Sequence, residues 1–373
     1  SDVIGSFIGP YKIREKLGEG GFGIVYVAEQ SRPIKRKVAL KFIKPGMDTE
    51  EVLARFDAER QALAMMDHPN VARVIDGGCT EDGRSYFVME LVRGKRITEF
   101  CENQQLSAQD RLSLFVDVCQ GIQHAHQKGI IHRDINPSNV LVTMRDDQPV
   151  AKVIDFGVAK ALHQKLTDQS IYTSFGQLVG TPLYMSPEQI QLNDLDVDTR
   201  SDVYCLGALL YELLTGTTPY LRSDLERHGL QEFRKLVCDS DAPSPSNRLS
   251  SISKGSEAKD VDNRQLAPAS YLKYVRGELD WIVMKALEKD RTRRYQSAQE
   301  FADDITRFLD GDTVIACPPS AVYRAQKFAR KHRILLGTST LLFMSLLVGM
   351  ISTGYQAYRA SAQAERAGKA ENL

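Results

Sequence analysis

Residues 11–92 alternate short apolar runs with glycine and aspartate. The runs "YKIREKLGEG", "GIVYVAEQ", "KVALKFIK", "ARVIDGGC" and "SYFVMELV" read as strands. One segment among them differs: "EEVLARFDAERQALAMM" has apolar residues at helical spacing. From Thr98 onward helical periodicity takes over, in "RLSLFVDVCQGIQHAHQ", "RSDVYCLGALLYELLTG", "LDWIVMKALEKD" and "AQEFADDITRFLD". The pattern predicts a β-rich lobe over 11–92, joined near Leu91–Gly94 to a helical lobe over 93–311, in an α+β arrangement. Between about 239 and 265 the chain turns to Ser, Asp, Lys, Asn and Pro, which predicts a mobile loop inserted in the helical lobe. Residues 1–10 read as a leader.

One later stretch breaks the soluble pattern. "ILLGTSTLLFMSLLVGMISTGY", residues 334–355, contains no charge. As a helix it would be about 33 Å long, against a hydrocarbon core of roughly 30 Å. Core helices of soluble proteins rarely avoid charge for so long. The segment before it, 312–333, carries Arg324, Lys327, Arg330, Lys331 and Arg333; after it come Arg359, Arg366 and Lys369, broken by Glu365 and Glu371. Positive charge is retained on the cytoplasmic side, so the expectation is a single-pass cell-membrane protein with residues 1–333 inside and 356–373 outside. Ser345 and Gly349 form a small-xxx-small pair, a hint of helix pairing and hence of a homodimer.

Composition narrows the partners. Lys+Arg and Asp+Glu are 48 each, so no global charge argues for nucleic acid. The chain is 42% hydrophobic and 26% charged, which suits a folded core. Its six cysteines are scattered with no Cys-x-x-Cys, so reduced thiols in a cytosolic domain fit better than zinc or disulfides. The start, "SDVIGSFIGP", has no signal-peptide pattern, and without an initiator Met the chain looks cut from something longer.

Several short motifs carry candidate chemistry. "GEGGFGIV" sets Gly18, Gly20 and Gly23 at G-x-G-x-x-G spacing, followed by Val25. Glycines there let backbone amides approach phosphate oxygens, although glycines in a turn between strands are common. A dinucleotide fold would need a helix directly after them; a strand, "IVYVAEQ", follows instead. Lys41 ends "VALK", 18 residues before Glu59 in the helical segment. Such a pair can hold a lysine against phosphates, while alone Lys41 reads as a solvated strand lysine. "HRDINPSN" supplies Asp134 as a candidate base and Asn139 as an oxygen ligand, and "VIDFG" supplies Asp155, a hard carboxylate suited to Mg2+. "GTPLYMSPE" ends at Glu188.

In this order and at these intervals, the motifs resemble those of the eukaryotic-type protein kinase family over residues 11 to about 310. The resemblance implies a two-lobed protein kinase fold followed by a single transmembrane helix. It implies ATP and Mg2+ as cofactors and Ser/Thr hydroxyls of proteins as acceptors. Position by position, Gly18, Gly20 and Gly23 match the phosphate-covering loop, Lys41 the phosphate-binding lysine and Glu59 its helix partner. Glu90 and Val92 match the hinge that binds adenine, after a gatekeeper at Met89; Val25, Ala39 and Leu141 match the walls of the base pocket. Asp134 matches the catalytic Asp, and Asn139 and Asp155 the metal ligands. Asp202 matches a buried carboxylate that braces the catalytic loop, and Glu188 and Arg294 match an ion pair that supports the substrate-binding segment. Pro137 and "GTPLYMSPE" are similar to the Ser/Thr branch, and the helix after the domain is similar to bacterial transmembrane Ser/Thr kinases.

One position departs from the pattern. Asn136 stands where Ser/Thr kinases place a lysine that meets the γ-phosphate. An amide keeps donors but loses reach and charge, a deficit of about 1–2 kcal/mol or roughly ten- to thirtyfold in rate. The expectation is a slower active kinase, with Asn136→Lys raising kcat; the alternative is a pseudokinase or nucleotide-binding scaffold. Arg133, before the catalytic Asp, implies activation by a phosphate between Asp155 and Glu188, with Thr167, Ser170, Thr173 and Ser174 as candidates.

Overall fold

The computed structural model describes residues 3–20, 23–43, 63–156, 181–191, 197–254, 269–318 and 320–371. Six strands form the first sheet: β1 (Phe7–Ile8), β2 (Tyr11–Gly20), β3 (Gly23–Gln30), β4 (Arg36–Ile43), β5 (Val74–Cys79) and β6 (Ser85–Glu90). Their order is β1-β2-β3-β4-β6-β5, and each neighbouring pair is antiparallel. Five of these are the runs read from the sequence, with ends moved by two residues or fewer.

Strand alternation divides this sheet into two faces. Tyr11, Ile13, Tyr26, Ala28, Val38, Leu40, Phe42 and Val88 pack together as one buried cluster. Opposite pairs share a face, and the register sets Val25 against Lys41, Lys41 against Phe87, and Ala39 against both Val27 and Met89. Those residues therefore line the other face, where Ile43 and Phe87 join the core of the helical lobe. The predicted helix over 50–66 lies outside the described residues, apart from its end at 63–66.

A short ladder, β7 (Lys95–Arg96), β8 (Val140–Arg145) and β9 (Gln148–Val153), begins the second lobe. The helix Thr199–Thr215 is its central post, with Val203–Tyr211 and Leu213–Thr215 all buried. The continuous apolar run "VYCLGALLYELL" suits a helix surrounded on every side. Its start is capped by Asp198, whose side chain accepts from the Arg200 N–H at 2.8 Å, and it ends at Gly216 with φ 81°. At Gly207 a Cβ would meet the Ala286 Cβ at 2.9 Å, so glycine lets the helix Glu278–Ala286 come close. Helices Ala108–Gln127 and Ala298–Leu309 complete the packing around the post.

The stretch read as a mobile loop differs in part. Residues Pro245–Ser253 form a helix with Pro at its first turn and Leu249 and Arg248 buried. Arg248 gives Nη2 to the carbonyl of Pro219 at 2.9 Å and Nε to the Tyr211 hydroxyl at 3.3 Å. A polar side chain anchors this segment, so apolar periodicity gave no sign of it. Residues 255–268 lie outside the described residues.

A second compact unit comprises Asp310–Thr313 and Pro318–Leu373. It holds the basic helix Ala321–Lys331 and a helix Arg333–Glu371 of 39 residues. Within the latter, Leu336–Ser361 is long and apolar enough to cross a membrane, with mean hydropathy 1.6 and none of it buried. The helix continues past the predicted end at 355, because "QAYRASAQAERAGKAE" is rich in good helix formers.

Candidate active site

The loop over 132–139, which carries the candidate base Asp134, is held by a buried carboxylate. Asp202, in the central helix, is fully buried. Its Oδ2 accepts the His132 N–H at 2.8 Å and its Oδ1 the Arg133 N–H at 2.8 Å, and His126 Nε2 lies 2.7 Å away. Burial pushes the Asp202 carboxyl up, but the His126 hydrogen bond and the neighbouring imidazoles and amide outweigh it and hold it low. These bonds secure Arg133 at φ 65°, a left-handed conformation that costs a non-glycine residue about 1–3 kcal/mol. The next residue is Asp134. His132 packs its ring 4.7 Å from that of Phe156 and reaches the carbonyl of Ile154 at 3.2 Å, which couples the two loops.

Asn139 and Asp155 are brought side by side. The Ile154 N–H donates to the Asn139 carbonyl at 2.9 Å. The Asn139 Nδ2 donates to the Asp134 carbonyl at 2.8 Å and to Asp134 Oδ2 at 3.2 Å, which leaves Oδ1 as the side-chain atom that could bind a cation. Asp155, at φ 57°, pairs through Oδ1 with Lys41 Nζ. The two residues lie 114 positions apart in sequence and meet across the cleft. A hard cation with several phosphate oxygens as further ligands fits this oxygen pair.

The cleft's roof and back follow from strand parity. Val25 stands between Gly18 on β2 and Lys41 on β4. A Cβ at Gly23 would run into the Phe42 carbonyl, so this glycine serves the close approach of β3 to β4; at Gly18 there is open space. Gly20 faces Gly23 in the register, and residues 21–22 at the tip lie outside the described residues. Glu59 also lies outside them. Behind Met89 is a cavity of about 30 Å³ lined by Lys41, Leu63, Val74, Phe87, Asp155 and Phe156 among others.

At the hinge, Glu90 closes β6, with Val92 two residues beyond. Leu141 lies on β8 opposite Arg96 and Lys152. Gly94 is required there, since a Cβ would meet the Val142 carbonyl at 2.5 Å. The Glu90 carboxylate takes Lys152 Nζ on both oxygens, at 2.7 and 2.8 Å. Lys152 and His126 escaped the reading of the sequence, because each works through a partner more than 60 residues away.

The segment Pro187–Ile190 is fixed to the catalytic loop and to the lobe beneath. Gln189 Nε2 donates to the Arg133 carbonyl at 3.0 Å. Glu188 meets Arg294 in a buried two-pronged pair, Nη1–Oε1 2.7 Å and Nη2–Oε2 2.9 Å, and also accepts the Ser201 hydroxyl at 2.6 Å.

Asn136 is buried, with 6% exposed, and is engaged within its own loop. Its Oδ1 accepts the Ser138 N–H at 2.9 Å and the Ser138 hydroxyl at 2.5 Å, and its Nδ2 donates to the Asp134 carbonyl at 3.1 Å. The shortened lysine substitute expected from the sequence is therefore a capping residue.

These features are those of a protein kinase. The model of the protein kinase domain matches residues 11–304, and the chain belongs to that family. A probable serine/threonine-protein kinase of Clostridium perfringens is 32% identical over 322 residues, covering 86% of this chain and 41% of that protein. The serine/threonine-protein kinase PknB of Mycobacterium leprae is 33% identical over 316 residues, covering 83% of this chain and 44% of its own. The chain thus spans about two fifths of the length of these relatives. The PknI kinase domain of Mycobacterium tuberculosis superposes with a TM-score of 0.58 at 24% identity, over 83% of this chain and 100% of that one, which shows the shared fold.

Proposed function

We propose that the chain is an active, membrane-anchored Ser/Thr protein kinase that transfers the γ-phosphate of ATP to Ser or Thr hydroxyls of proteins and phosphorylates itself. The observation that carries this reading is the convergence of Lys41, Asp134, Asn139 and Asp155 on one cleft from three separate stretches of chain. In this reading Lys41 meets the α- and β-phosphates, with Glu59 as its helix partner. The glycines at 18, 20 and 23 lie over them, and Val25, Ala39 and Leu141 enclose the base beside the Glu90–Val92 hinge. Asn139 and Asp155 would hold Mg2+, which neutralises charge on the phosphates. Asp134 accepts the proton of the acceptor hydroxyl as its oxygen bonds to phosphorus, and the segment around Glu188 seats the peptide. Asp134 is suited to this because its loop is pinned at Asp202, so the base need not reorganise during transfer.

The kinase domain is cytoplasmic, the basic stretch 312–333 lies at the inner face, Leu336–Ser361 crosses the bilayer and the remainder emerges outside. The test is transfer of radiolabelled γ-phosphate, with Mg2+, to the chain itself and to a Ser/Thr peptide. Wild type is expected to incorporate label and Asp134→Asn to lose about a thousandfold or more in kcat, since base and positioning are removed together. Label-free wild type that still binds ATP would establish the scaffold reading instead.

A further inference from the structure

We propose that Asn136 is a positioning residue of the catalytic loop, which fixes the Asp134 peptide through its side chain. The inference rests on the kinase reading above and concerns a role distinct from that of the lysine common at this position. Two carboxamides, Asn136 and Asn139, donate to the single carbonyl of Asp134, at 3.1 and 2.8 Å. That carbonyl has two lone pairs, and both are thus used from within the loop. The same Asn136 side chain reaches forward and caps the short helical turn Pro137–Asn139, accepting from the Ser138 N–H. One side chain therefore ties the residue before the turn that carries the candidate base to the turn that carries Asn139.

The chemistry demands an amide-like group. The position needs an acceptor for Ser138 and a donor for Asp134 within one short side chain. Asparagine supplies both and is a favoured cap. Lysine supplies donors alone, so it would leave the Ser138 N–H and hydroxyl without their acceptor. Extending toward a phosphate, it would also abandon the Asp134 carbonyl. Burial makes these losses count, because water is not at hand to replace the partners. Substituting lysine thus exchanges a brace for a charge, and the gain expected from the sequence disappears.

Steady-state kinetics on the full, detergent-solubilised chain test this, with a Ser/Thr peptide and Mg2+-ATP. Loosening the loop around a reacting group lowers turnover, and Asn136→Ala is expected to lose about tenfold in kcat with the KM for ATP changed less than about twofold. Asn136→Ser, whose hydroxyl can cap the same turn, is expected to recover to within about threefold of wild type. Asn136→Lys is expected not to exceed wild-type kcat. A rise of about tenfold or more in Asn136→Lys would overturn the inference and restore the missing-charge account. Equal kcat of Asn136→Ala and wild type would overturn it as well. Should Asn136→Ala fail to fold, Asn136→Asp, which keeps the acceptor for Ser138 but loses the donor to the Asp134 carbonyl, takes its place with an expected loss of about threefold; no loss there overturns the brace. A wild type without activity would overturn the kinase reading and this role with it, whereas an active wild type indifferent to these substitutions overturns this role alone.

Discussion

Removing the guanidinium of Arg294 should cost this fold more than any surface change. Arg294 is 2% exposed and all five of its N–H donors have partners. Two go to the Glu188 carboxylate, and the others to the carbonyls of Glu288, Arg200 and Lys289 at 2.7, 3.0 and 3.0 Å. Its planar group also lies 5.0 Å over the Tyr204 ring. In Arg294→Met the volume is roughly kept, while Glu188 becomes a buried anion held by the Ser201 hydroxyl and its own backbone N–H. Breaking one side of such a pair costs about 3–5 kcal/mol. For a domain of this length the lower end of about 2–4 °C per kcal/mol applies. The expected fall in Tm is therefore about 6–10 °C.

Thermal melts of the detergent-solubilised chain, with Glu188→Gln/Arg294→Met beside the single variant, separate charge from packing. The double variant should recover part of the loss, because the unpaired charge is gone while three carbonyls have still lost the donor that Arg294 supplied. The pH dependence gives a second reading. In wild type, burial pushes the Glu188 carboxyl up, but Arg294 and Ser201 outweigh it and hold it low. Its contribution is thus present above the unfolded value of about 4.3 and lost as pH falls through the lower folded value. Without Arg294 the burial is left alone, the folded value rises above the unfolded one, and the penalty fades as pH falls. The gap between variant and wild type should narrow from pH 7 toward 4.5. A variant within 2 °C of wild type at pH 7, or a gap that widens in acid, would refute the reasoning.

Two further predictions concern regulation and anchoring. Arg133 Nη1 is buried with no hydrogen-bond partner among the described residues, which suits a phosphate arriving from the segment 157–180, itself outside them. Thr173→Ala/Ser174→Ala is expected to lower peptide phosphorylation about tenfold, since one to three charge-assisted bonds that order the segment are forgone; equal activity counts against these sites. Deleting 334–373 is expected to move the kinase domain from the membrane pellet to the soluble fraction of lysed cells, and a full-length chain already in that fraction would defeat the anchoring model.

The strands and long helices were legible because their burial pattern repeats along the chain. "GIVYVAEQ" alternates between the cleft and the outer core, and "VYCLGALLYELL" is buried throughout except at Glu212. Asp134, Asn139 and Asp155 carried a different signal, the order and spacing of the short motifs that hold them. What periodicity could not show are the elements held by polar contacts. Pro245–Ser253 is anchored through Arg248, and β7–β9 are two to six residues long, too short to establish a period. Lys152 and His126 were silent because a charged residue declares its role only when its partner is in place.

Asn136 shows what reading a motif by identity leaves out. Compared with the usual lysine, the residue looked like a subtraction, and the subtraction was costed as lost charge. Side-chain direction adds a second role, since the carboxamide spends its donor on Asp134 and its acceptor on Ser138. Neither bond can be inferred from the residue's name, because a buried amide has several ways to be satisfied and the loop's backbone selects among them. Arg133 is held left-handed by Asp202, and Pro137 presets the turn that follows. Between these two constraints the Asn136 side chain is left with partners on either side of itself. The departure from the family pattern therefore lies in how the loop is held together, and the charge that a lysine would bring must be judged against the brace it would displace.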